Sequence, residues 1–510
     1  MATETELKLS LHAVDLPRLL AHPLLQAQPP LVRHLRNTYF DTPSQDLMRE
    51  RIAVRERQIG RRTWLTVKTA GHSAGGLSQR QEWEAPSRAG ALNMADIVTD
   101  PDLAQRLMAM RSRLVPLFHT HFQRRQWVLV HGQSRIEVAL DQGDISTDAG
   151  GGRPARRQAL LELELELKDG EASDLLDLAH TLSLGPDGGD GPGIWLHPDD
   201  RSKAARGLML FTGQTPQAAT ATPHTLQADI HPLEAWRSTA LACVAQLQAN
   251  TVPWLEMDPA HAQADPEFVH QARVALRRLR TGLRLFAPWL PRRFAAHWSA
   301  VWREAASHLG EPRNWDVLVN ELQPILLAPC PPADATRWSD WIHDQREAAH
   351  RRARAALENP GHTRALLAFM HGIMALPPAR RRDRTTVGAW AIDALAVPHR
   401  RLLEQTREAL SAGPEARHEL RIAVKRLRYA TGFLGDLLPA SVRRDGLSGL
   451  SLVQDRLGHL NDLDQARQML AACPVADPAP VLAQIDALTR EGLAHLPRLE
   501  RQLLKLPAPR

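Results

Sequence analysis

Long apolar runs are missing from this chain. No stretch of about 18 uninterrupted apolar residues occurs, so we expect no transmembrane helix. The N-terminus begins with acidic residues and lacks the basic segment and apolar core of a secretory signal. The chain has only three cysteines, Cys243, Cys330 and Cys473, and none has the spacing of metal ligands or of a disulfide framework. These absences predict a cytoplasmic protein without a membrane partner.

The sequence also lacks two well-known catalytic motifs. There is no Gly-x-Ser-x-Gly elbow, which would present a nucleophilic serine, and no P-loop, which would cradle a nucleotide phosphate. We therefore expect no covalent intermediate on a serine and no nucleotide site of the P-loop type.

Length and charge indicate several domains and an anionic partner. A chain of 510 residues is too long for one ordinary domain, so two or three are expected. The formal net charge of +6 is compatible with nucleic acid, an anionic membrane or a phosphate polymer, and does not choose among them.

The first 210 residues have the alternating pattern of β-strands. Gly, Pro and Asp clusters separate the strand-like segments. About eight such segments with polar residues on one face favour a closed antiparallel barrel, with three helical stretches at Asp15–Ala27, Asp100–Arg113 and Glu171–Ser183. The predicted strands are Glu4–Leu11, Thr38–Asp41, Ile52–Gln58, Thr63–Thr69, Gln79–Ala85, His121–His131, Ser134–Ile145 and Ala159–Lys168.

The character of the chain changes after a linker. Residues 211–228 include an uncharged stretch rich in Pro, Thr, Ala and Gln, which is typical of a linker. Beyond it, apolar residues recur with a period of about 3.6, which predicts an all-α helical bundle. We therefore divide the chain into a barrel of the α+β class at 1–210, the linker, and a helical domain at 229–505.

The helical domain contains an internal duplication. The block that begins at His270 recurs 148 residues later at His418, and the block that begins at Leu309 recurs at the same offset at Leu457. Two matched blocks at one offset indicate a repeat. The two copies are expected at about 229–375 and 385–505.

Each copy carries a stripe of basic residues on one helix face. At about 100° per residue the stripe of the first copy falls within roughly 80°, and no acidic residue occurs between Arg273 and Arg284. Aromatic residues do not alternate with the arginines, so phosphate is a better ligand than nucleic-acid bases. The stripe residues are His270, Arg273, Arg277 and Arg280 in the first copy and His418, Arg421, Lys425 and Arg428 in the second.

Carboxylates line up on two strands of the N-terminal region. Residues two apart on a strand share a face, so Glu4 and Glu6 lie beside Lys8. The same spacing places Glu162, Glu164 and Glu166 together. Like charges at this distance repel unless a cation or strong solvation offsets them, which makes a divalent metal site the first hypothesis. Hard carboxylate oxygens suit Mg²⁺ or Mn²⁺ better than Zn²⁺.

The helical half resembles the CHAD family, an all-helical domain with conserved histidines that is associated with inorganic polyphosphate. The resemblance covers roughly 225–500 and rests on the His-x2-Arg-x3-Arg/Lys-x2-Arg helices and on the two Leu-Gly blocks. The first copy has Asn314 where the family usually has Asp, whereas the second keeps Asp462.

The N-terminal half resembles the CYTH family, the triphosphate tunnel metalloenzymes, over about 1–208. Within this family the match resembles most the bacterial CYTH-CHAD inorganic triphosphatases. Val54 stands where the family often has Leu. The segments that carry the resemblance are the Glu4–Lys8 pattern, Tyr39–Pro43, Val54–Arg57, Leu65–Lys68, Arg80–Glu84, Glu137–Asp141, Glu162–Lys168 and Ser202–Gly207.

The CYTH resemblance implies a tunnel whose inner wall binds a metal ion and a phosphate chain. It implies catalytic roles for Glu6, Lys8 and Asp141, and hydrolysis of inorganic triphosphate with Mg²⁺ or Mn²⁺. The implied metal ligands are Glu4, Glu6, Asp141, Glu162, Glu164 and Glu166, and the implied substrate-binding residues are Lys8, Arg55, Arg57, Lys68, Arg80, Arg124 and Lys203.

Two other functions stay open at this point. The same tunnel could act on a nucleoside or thiamine triphosphate, including adenylate cyclisation, or the protein could bind polyphosphate without catalysis. A nucleic-acid-binding function is supported by net charge alone and is not expected. For Glu82 and Glu84 we favour a role in balancing nearby arginines over a role as ligands.

Overall fold

The computed structural model describes all residues except 1, 70, 151, 153, 223–224, 261–264, 379–382, 472, 475–476 and 510. The chain forms two compact units. The first contains residues 1–218 and Leu357–Leu376, and the second contains Ala219–Ala356 and Pro377–Arg510. None of the described helices combines the length and the apolar character needed to cross a lipid bilayer.

The core of the first unit is a closed antiparallel barrel, as predicted. Its eight strands pair in the order β1-β9-β8-β7-β2-β3-β4-β6, and pairing of β6 with β1 closes the ring. The short strands β5 and β10 lie beside β6 and β1. The strands are β1 (Ala2–Leu11), β2 (Leu31–Asp41), β3 (Ala53–Ile59), β4 (Arg62–Lys68), β5 (His72–Ala74), β6 (Leu77–Ser87), β7 (Val115–His131), β8 (Ser134–Thr147), β9 (Arg156–Asp169) and β10 (Leu196–Pro198).

Apolar residues of the strands cover the outside of the barrel. Leu7 and Leu9 of β1 and Leu163 and Leu165 of β9 are fully buried. The helix α5 (Ala172–Ser183) packs against these two strands. The period of two therefore sends leucines outward and charged residues inward, the reverse of an ordinary solvated sheet. The helices that precede the second unit are α1 (Leu16–Leu20), α2 (Pro23–Gln26), α3 (Asp46–Arg49), α4 (Pro101–Met110), α5 (Ala172–Ser183) and α6 (Lys203–Thr212).

The second unit is helical throughout its described residues apart from connections. Its helices are α7 (Pro232–Glu256), α8 (Glu267–Leu285), α9 (Arg292–His308), α10 (Gly310–Val317), α11 (Gln323–Leu326), α12 (Pro332–Leu357), α14 (Val387–Ala412), α15 (Pro414–Leu434), α16 (Ala440–Leu470), α17 (Ala479–Ala494) and α18 (Leu496–Leu503). A five-residue π-helix, Leu318–Leu322, follows α10. One core cluster of this unit joins Trp315 and Trp338 to Leu463 and Ile485.

The two repeats differ in one helix. The first copy has two helices, α9 and α10, where the second has the continuous helix α16. Pro312 in the first copy corresponds to Leu460 in the second. Proline has no N–H and clashes with the preceding turn, which accounts for the break at Leu309.

One helix of the predicted helical domain packs with the barrel instead. The segment Leu357–Leu376, which contains α13 (Pro360–Met374), belongs to the first unit. The helix packs on α5 and β10, and the indole N–H of Trp195 donates to the carbonyl of Leu357 at 3.2 Å. The helical domain predicted at 229–505 is therefore interrupted, because the apolar face of α13 finds its partners on the barrel unit. The linker at 211–228, of which 223–224 lie outside the described residues, contains the point where the two units divide.

Candidate active site and anion-binding helices

The barrel encloses a cavity of about 1120 Å³ whose wall carries both signs of charge. Ten acidic and ten basic residues are among the described residues that line it. Strand register brings opposite charges together, since Lys8 of β1 pairs with Glu164 of β9. The predicted site residues on the wall are Glu4, Glu6, Lys8, Arg55, Arg57, Lys68, Arg80, Arg124, Glu164, Glu166 and Lys203.

Asp141 and Glu162 share the inward faces of β8 and β9 with Glu137 and Glu164, but they are buried. They are 0% and 2% exposed and do not line the cavity. One oxygen each of Asp141, Glu162 and Glu164 lies within 4.8 Å of the others, a spacing that could hold a metal ion. The predicted acidic group therefore divides into this cluster and a second set, Glu4, Glu6 and Glu166, on the wall itself.

Lys203 and Arg124 each pair with more than one carboxylate of the Asp141–Glu162–Glu164 cluster. The ammonium of Lys203 lies 2.7 Å from Asp141 and 2.9 Å from Glu164, and it also pairs with Glu162. Arg124 donates two hydrogen bonds of 2.7 Å to Asp141 and one of 2.6 Å to Glu164. Such charge-assisted contacts are among the stronger polar interactions in proteins.

These neighbours act on the acidity of the cluster. Burial acts to raise the pKa of Glu164, but Lys203, Arg124 and Lys8 outweigh it and hold that pKa well below its usual value. Burial also raises the pKa of Glu162, and there the nearby lysines offset it only in part. Arg124 contributes to lowering the pKa of Glu164, whereas the neighbouring charge of Glu164 acts to raise the pKa of Glu162.

The position of Lys203 depends on local helix geometry. It is the first residue of α6, whose N-terminus is capped by the Ser202 hydroxyl accepting from the Ala205 N–H at 3.1 Å. On the next turn, a Cβ at Gly207 would lie 2.1 Å from Phe118 Cε2. Glycine at this position therefore lets the helix approach strand β7 closely.

A second group of ion pairs surrounds the acidic pair of β1. Lys68 donates to Glu4 at 2.9 Å, and Arg80 donates to Glu4 at 3.1 Å and to Glu6 at 2.5 Å. Lys68 also lies 3.0 Å from Glu82. The carboxylates predicted as metal ligands and the cations predicted to bind substrate thus pair with each other along the wall, where Arg80 is the direct strand partner of Glu4.

The β3 arginines are held in the same way. Arg55 lies 3.6 Å from Glu82 and 3.5 Å from Glu84, and Arg57 lies 3.6 Å from Glu84. Burial and the neighbouring Arg55 lower the pKa of Arg57 to about 10. Glu82 and Glu84 are therefore placed to balance these arginines.

Several charged residues near the site were absent from the predicted set. Lys168 lies 3.2 Å from Glu137 and 2.6 Å from Glu166, and all three line the cavity. Arg206 lies 3.2 Å from Glu162. The period of two could have identified Glu137, which is four residues before Asp141 on β8, and Lys168, which follows Glu166 on β9.

The donor set fits a hard divalent cation. All the oxygens come from carboxylates, the ligand type that Mg²⁺ and Mn²⁺ prefer, and no cysteine lies among the residues that line the cavity. Chemically, the wall can hold a cation on its carboxylates while guanidinium and ammonium groups bind an anionic chain.

In the second unit the two basic stripes meet. Helix α8 packs on α15, and Arg277 of α8 donates to the Tyr429 hydroxyl of α15 at 3.4 Å. Leu276, Leu279 and Leu283 of α8, which lie outside the stripe, are buried. The repeat thus forms one basic surface from two helices.

This basic surface has no acidic partner in an ion pair among the described residues. Burial, followed by Arg277, Arg313 and Arg421, lowers the pKa of Arg273 to about 10. Burial and then Arg277 and Arg421 lower the pKa of Lys425 to about 6, although Asp462 acts in the opposite direction. Cations in excess that weaken each other's charge form a site suited to a polyanion.

Not all of the predicted stripe residues belong to this group of cations that lower each other's pKa. His270 is half-buried, and burial together with Arg313 lowers its pKa to about 4, whereas His418 is exposed. Arg428 donates to Gln454 at 2.8 Å, and the buried Nε of Arg280 has no hydrogen-bond partner among the described residues. Arg313, Arg303 and Arg426 were not predicted, although each lowers the pKa of a stripe residue.

Two family models match separate parts of the chain. The CYTH domain model matches residues 2–187, and the CHAD domain model matches residues 239–471. The chain contains a CYTH domain followed by a CHAD domain. Both resemblances noted in the sequence are thereby confirmed.

A curated relative matches the CYTH part. This chain is 33% identical over 222 residues to an inorganic triphosphatase of Haemophilus influenzae. The alignment covers 42% of this chain and 56% of the relative, so it spans about half the length of that protein.

Two solved structures match the separate halves. The CHAD domain of Ricinus communis is 26% identical with a TM-score of 0.46, and covers 58% of this chain and 99% of its own. A Hippeastrum protein described as a putative adenylyl cyclase with dominant triphosphatase activity is 20% identical with a TM-score of 0.30. That match covers 40% of this chain and 95% of the other.

Proposed function

We propose that the barrel of this CYTH-CHAD protein hydrolyses inorganic triphosphate to pyrophosphate and phosphate with a divalent cation, Mg²⁺ or Mn²⁺. The observation that supports this most is the pairing of carboxylates with arginines and lysines on the cavity wall, where Arg80 contacts Glu4 and Glu6. The identity to an inorganic triphosphatase adds to this argument for the barrel.

In the proposed reaction the basic wall holds the phosphate chain. Arg55 and Arg57 share one face of β3, while Lys8, Lys68 and Arg80 approach from the strands β1, β4 and β6. Guanidinium groups bind phosphate oxygens bidentately, so they fix the direction of the chain. Positioning of this kind supplies much of the catalysis in phosphoryl transfer.

The carboxylates have two proposed tasks. Glu4, Glu6 and Glu166 on the wall, with the Asp141–Glu162–Glu164 cluster, would hold the divalent cation, which supplies charge neutralisation at the phosphate oxygens. A wall carboxylate such as Glu6 orients the attacking water. The water oxygen adds to the terminal phosphorus and loses a proton to solvent, and the bond from that phosphorus to the bridging oxygen breaks with its electron pair left on that oxygen. Orthophosphate and pyrophosphate are then released.

For the helical unit we propose binding of inorganic polyphosphate. The support is the surplus of cations around Arg273, Arg277, Arg421 and Lys425, none of which is in an ion pair among the described residues. Phosphate polymers present many closely spaced charges, and release of their counter-ions favours binding to such a surface.

A comparison of substrates tests the barrel proposal. Phosphate release from inorganic triphosphate, ATP and thiamine triphosphate is measured for the intact chain, with and without Mg²⁺. We expect Mg²⁺-dependent release that is fastest from inorganic triphosphate. Activity on ATP alone would reject the proposed substrate, and no release from any of the three would leave a polyphosphate-binding protein as the better description.

A further inference from the structure

Lys203 occupies the centre of the buried carboxylate cluster. Its ammonium pairs with Asp141, Glu162 and Glu164 at once. Lys203 lines the cavity, whereas Asp141 and Glu162 do not. The lysine therefore lies between two buried carboxylates and the space in which a substrate would bind.

A divalent cation and this ammonium group compete for the same oxygens. Mg²⁺ binds carboxylate oxygens at about 2.0–2.1 Å, which requires it to lie among the three side chains. The ammonium already lies within 2.9 Å of Asp141 and Glu164. Lys203 and Arg124 already share an oxygen of Asp141. A divalent cation among the same three carboxylates would need the oxygens that the ammonium contacts and would be repelled by it, so its binding requires the ammonium to move away.

We propose that Lys203 is an internal counter-ion that must leave the cluster before a divalent cation binds there, and that a phosphate chain in the tunnel draws it out. This inference rests on the metal ligands of the proposed function. The flexible four-carbon stem of lysine and its place on the cavity wall allow the ammonium to turn from carboxylate to phosphate.

The consequence is cooperative binding of metal and triphosphate. A divalent cation that binds alone would leave the Lys203 ammonium without a partner. A phosphate chain that binds alone would leave the three carboxylates without the ammonium. When both bind, the carboxylates exchange Lys203 for the divalent cation, and Lys203 exchanges the carboxylates for phosphate. By linkage each ligand then raises the affinity of the other by the same factor.

Metal binding without turnover tests this inference on the full-length chain. Mn²⁺ affinity is measured from the electron paramagnetic resonance signal of free Mn²⁺, in the absence of any phosphate. Lys203→Met removes the charge and keeps the chain length, so we expect it to bind Mn²⁺ at least about tenfold more tightly than wild type. Unchanged or weaker Mn²⁺ binding by Lys203→Met would overturn the proposal.

Two control variants show whether the gain belongs to the cluster. Lys505→Met removes the same charge at an exposed position of the second unit and should leave Mn²⁺ affinity unchanged. Adding Asp141→Asn to Lys203→Met should abolish the gain. A gain that survives Asp141→Asn would place the effect elsewhere and also overturn the proposal.

The wild-type chain gives a second measurement that does not depend on the variant folding. A triphosphate analogue with nitrogen bridges should raise Mn²⁺ affinity about tenfold or more, after correction for Mn²⁺ bound to the analogue in solution. Independent binding of the two ligands would contradict the inference. Hydrolysis of triphosphate with independent binding would refute this inference alone, whereas tighter Mn²⁺ binding by Lys203→Met without any hydrolysis would refute the proposed function alone.

Discussion

Arg277 and Tyr429 are joined by a hydrogen bond of 3.4 Å across 152 residues of sequence. The arginine belongs to the basic helix of the first repeat and the tyrosine to that of the second. The duplication therefore builds one surface from two helices, and Arg273, Arg277, Arg421 and Lys425 influence each other's charge there.

Removing one arginine from each repeat should weaken polyphosphate binding. For Arg273→Ala with Arg421→Ala we expect at least a tenfold loss of affinity, since a hydrogen bond to a charged group contributes about 1.5–3 kcal/mol. The slope of log affinity against log salt should fall by about one for each phosphate contact removed. Arg444→Ala, an exposed arginine paired with Asp445, is the matched control and should change neither quantity.

Polyphosphate binding should take up a proton at Lys425. Burial and the neighbouring Arg277 and Arg421 lower its pKa to about 6, so much of it is neutral at pH 7.5 without ligand. A phosphate chain favours the charged form and raises that pKa again. Calorimetry in two buffers of different ionisation enthalpy measures the protons taken up, and Lys425→Met should take up fewer than wild type or than Lys505→Met. Equal uptake by all three proteins would contradict this.

The same lysine should make stability depend on pH. Its pKa is 10.5 in the unfolded chain and about 6 in the folded one, so between these values the unfolded state binds more protons. This contribution to the free energy of unfolding therefore rises with pH from about 6 to 10.5. Urea unfolding at pH 6 and pH 9 should show a stability gain of Lys425→Met over wild type that is larger at pH 6. A stability gain that is the same at both pH values would show that the pKa of Lys425 is not lowered in the folded protein.

Glu6→Gln should abolish turnover of inorganic triphosphate while the fold is kept. Glu6 is buried in the cavity wall and accepts a hydrogen bond from Arg80, so its amide analogue keeps the shape and loses the charge. Loss of a direct ligand should exceed the about 10- to 100-fold typical of outer-shell partners. Circular dichroism checks the fold, and Glu50→Gln, whose carboxylate pairs with Arg106 away from the cavity wall, should keep full turnover.

Helix α13 should contribute to the stability of the barrel unit. Leu366 is fully buried in this helix, which packs on α5. Leu366→Ala should cost about 2–5 kcal/mol of unfolding free energy and speed amide hydrogen exchange in Ala172–Ser183. Leu463→Ala, an equally buried leucine of the second unit, should leave exchange in α5 unchanged. Faster exchange in α5 for Leu463→Ala, with unchanged exchange for Leu366→Ala, would show that α13 belongs to the helical unit instead.

Most of the barrel could be predicted because its strands are encoded locally. All eight predicted strands occur, and β2 is longer than expected because Leu31–Asn37 extends Thr38–Asp41 at its N-terminal side. The short strands β5 and β10 were missed, since three residues give no measurable periodicity. Their positions depend on the partners β6 and β1, which only the fold supplies.

The sequence predicted most of the residues of the candidate tunnel site, but it did not predict which of them pair with each other. Alternation placed Glu4, Glu6 and Lys8 on one face, and the cavity wall contains all three. It did not show that Asp141 and Glu162 are buried outside the cavity lining and that Lys203 pairs with both. That arrangement joins residues up to 62 positions apart, since the register of β8 and β9 and the docking of α6 are set by tertiary packing.

By itself the sequence determined the two-part organisation, the alternation of charge on the strands and the offset of the basic helices. Each of these follows from a local period of 2 or 3.6 residues or from repetition along the chain. The tertiary structure alone decided that β6 closes the barrel on β1, that α13 packs with the barrel, and which carboxylate meets which cation. These outcomes depend on contacts between distant segments, whose packing has no local signal in the sequence.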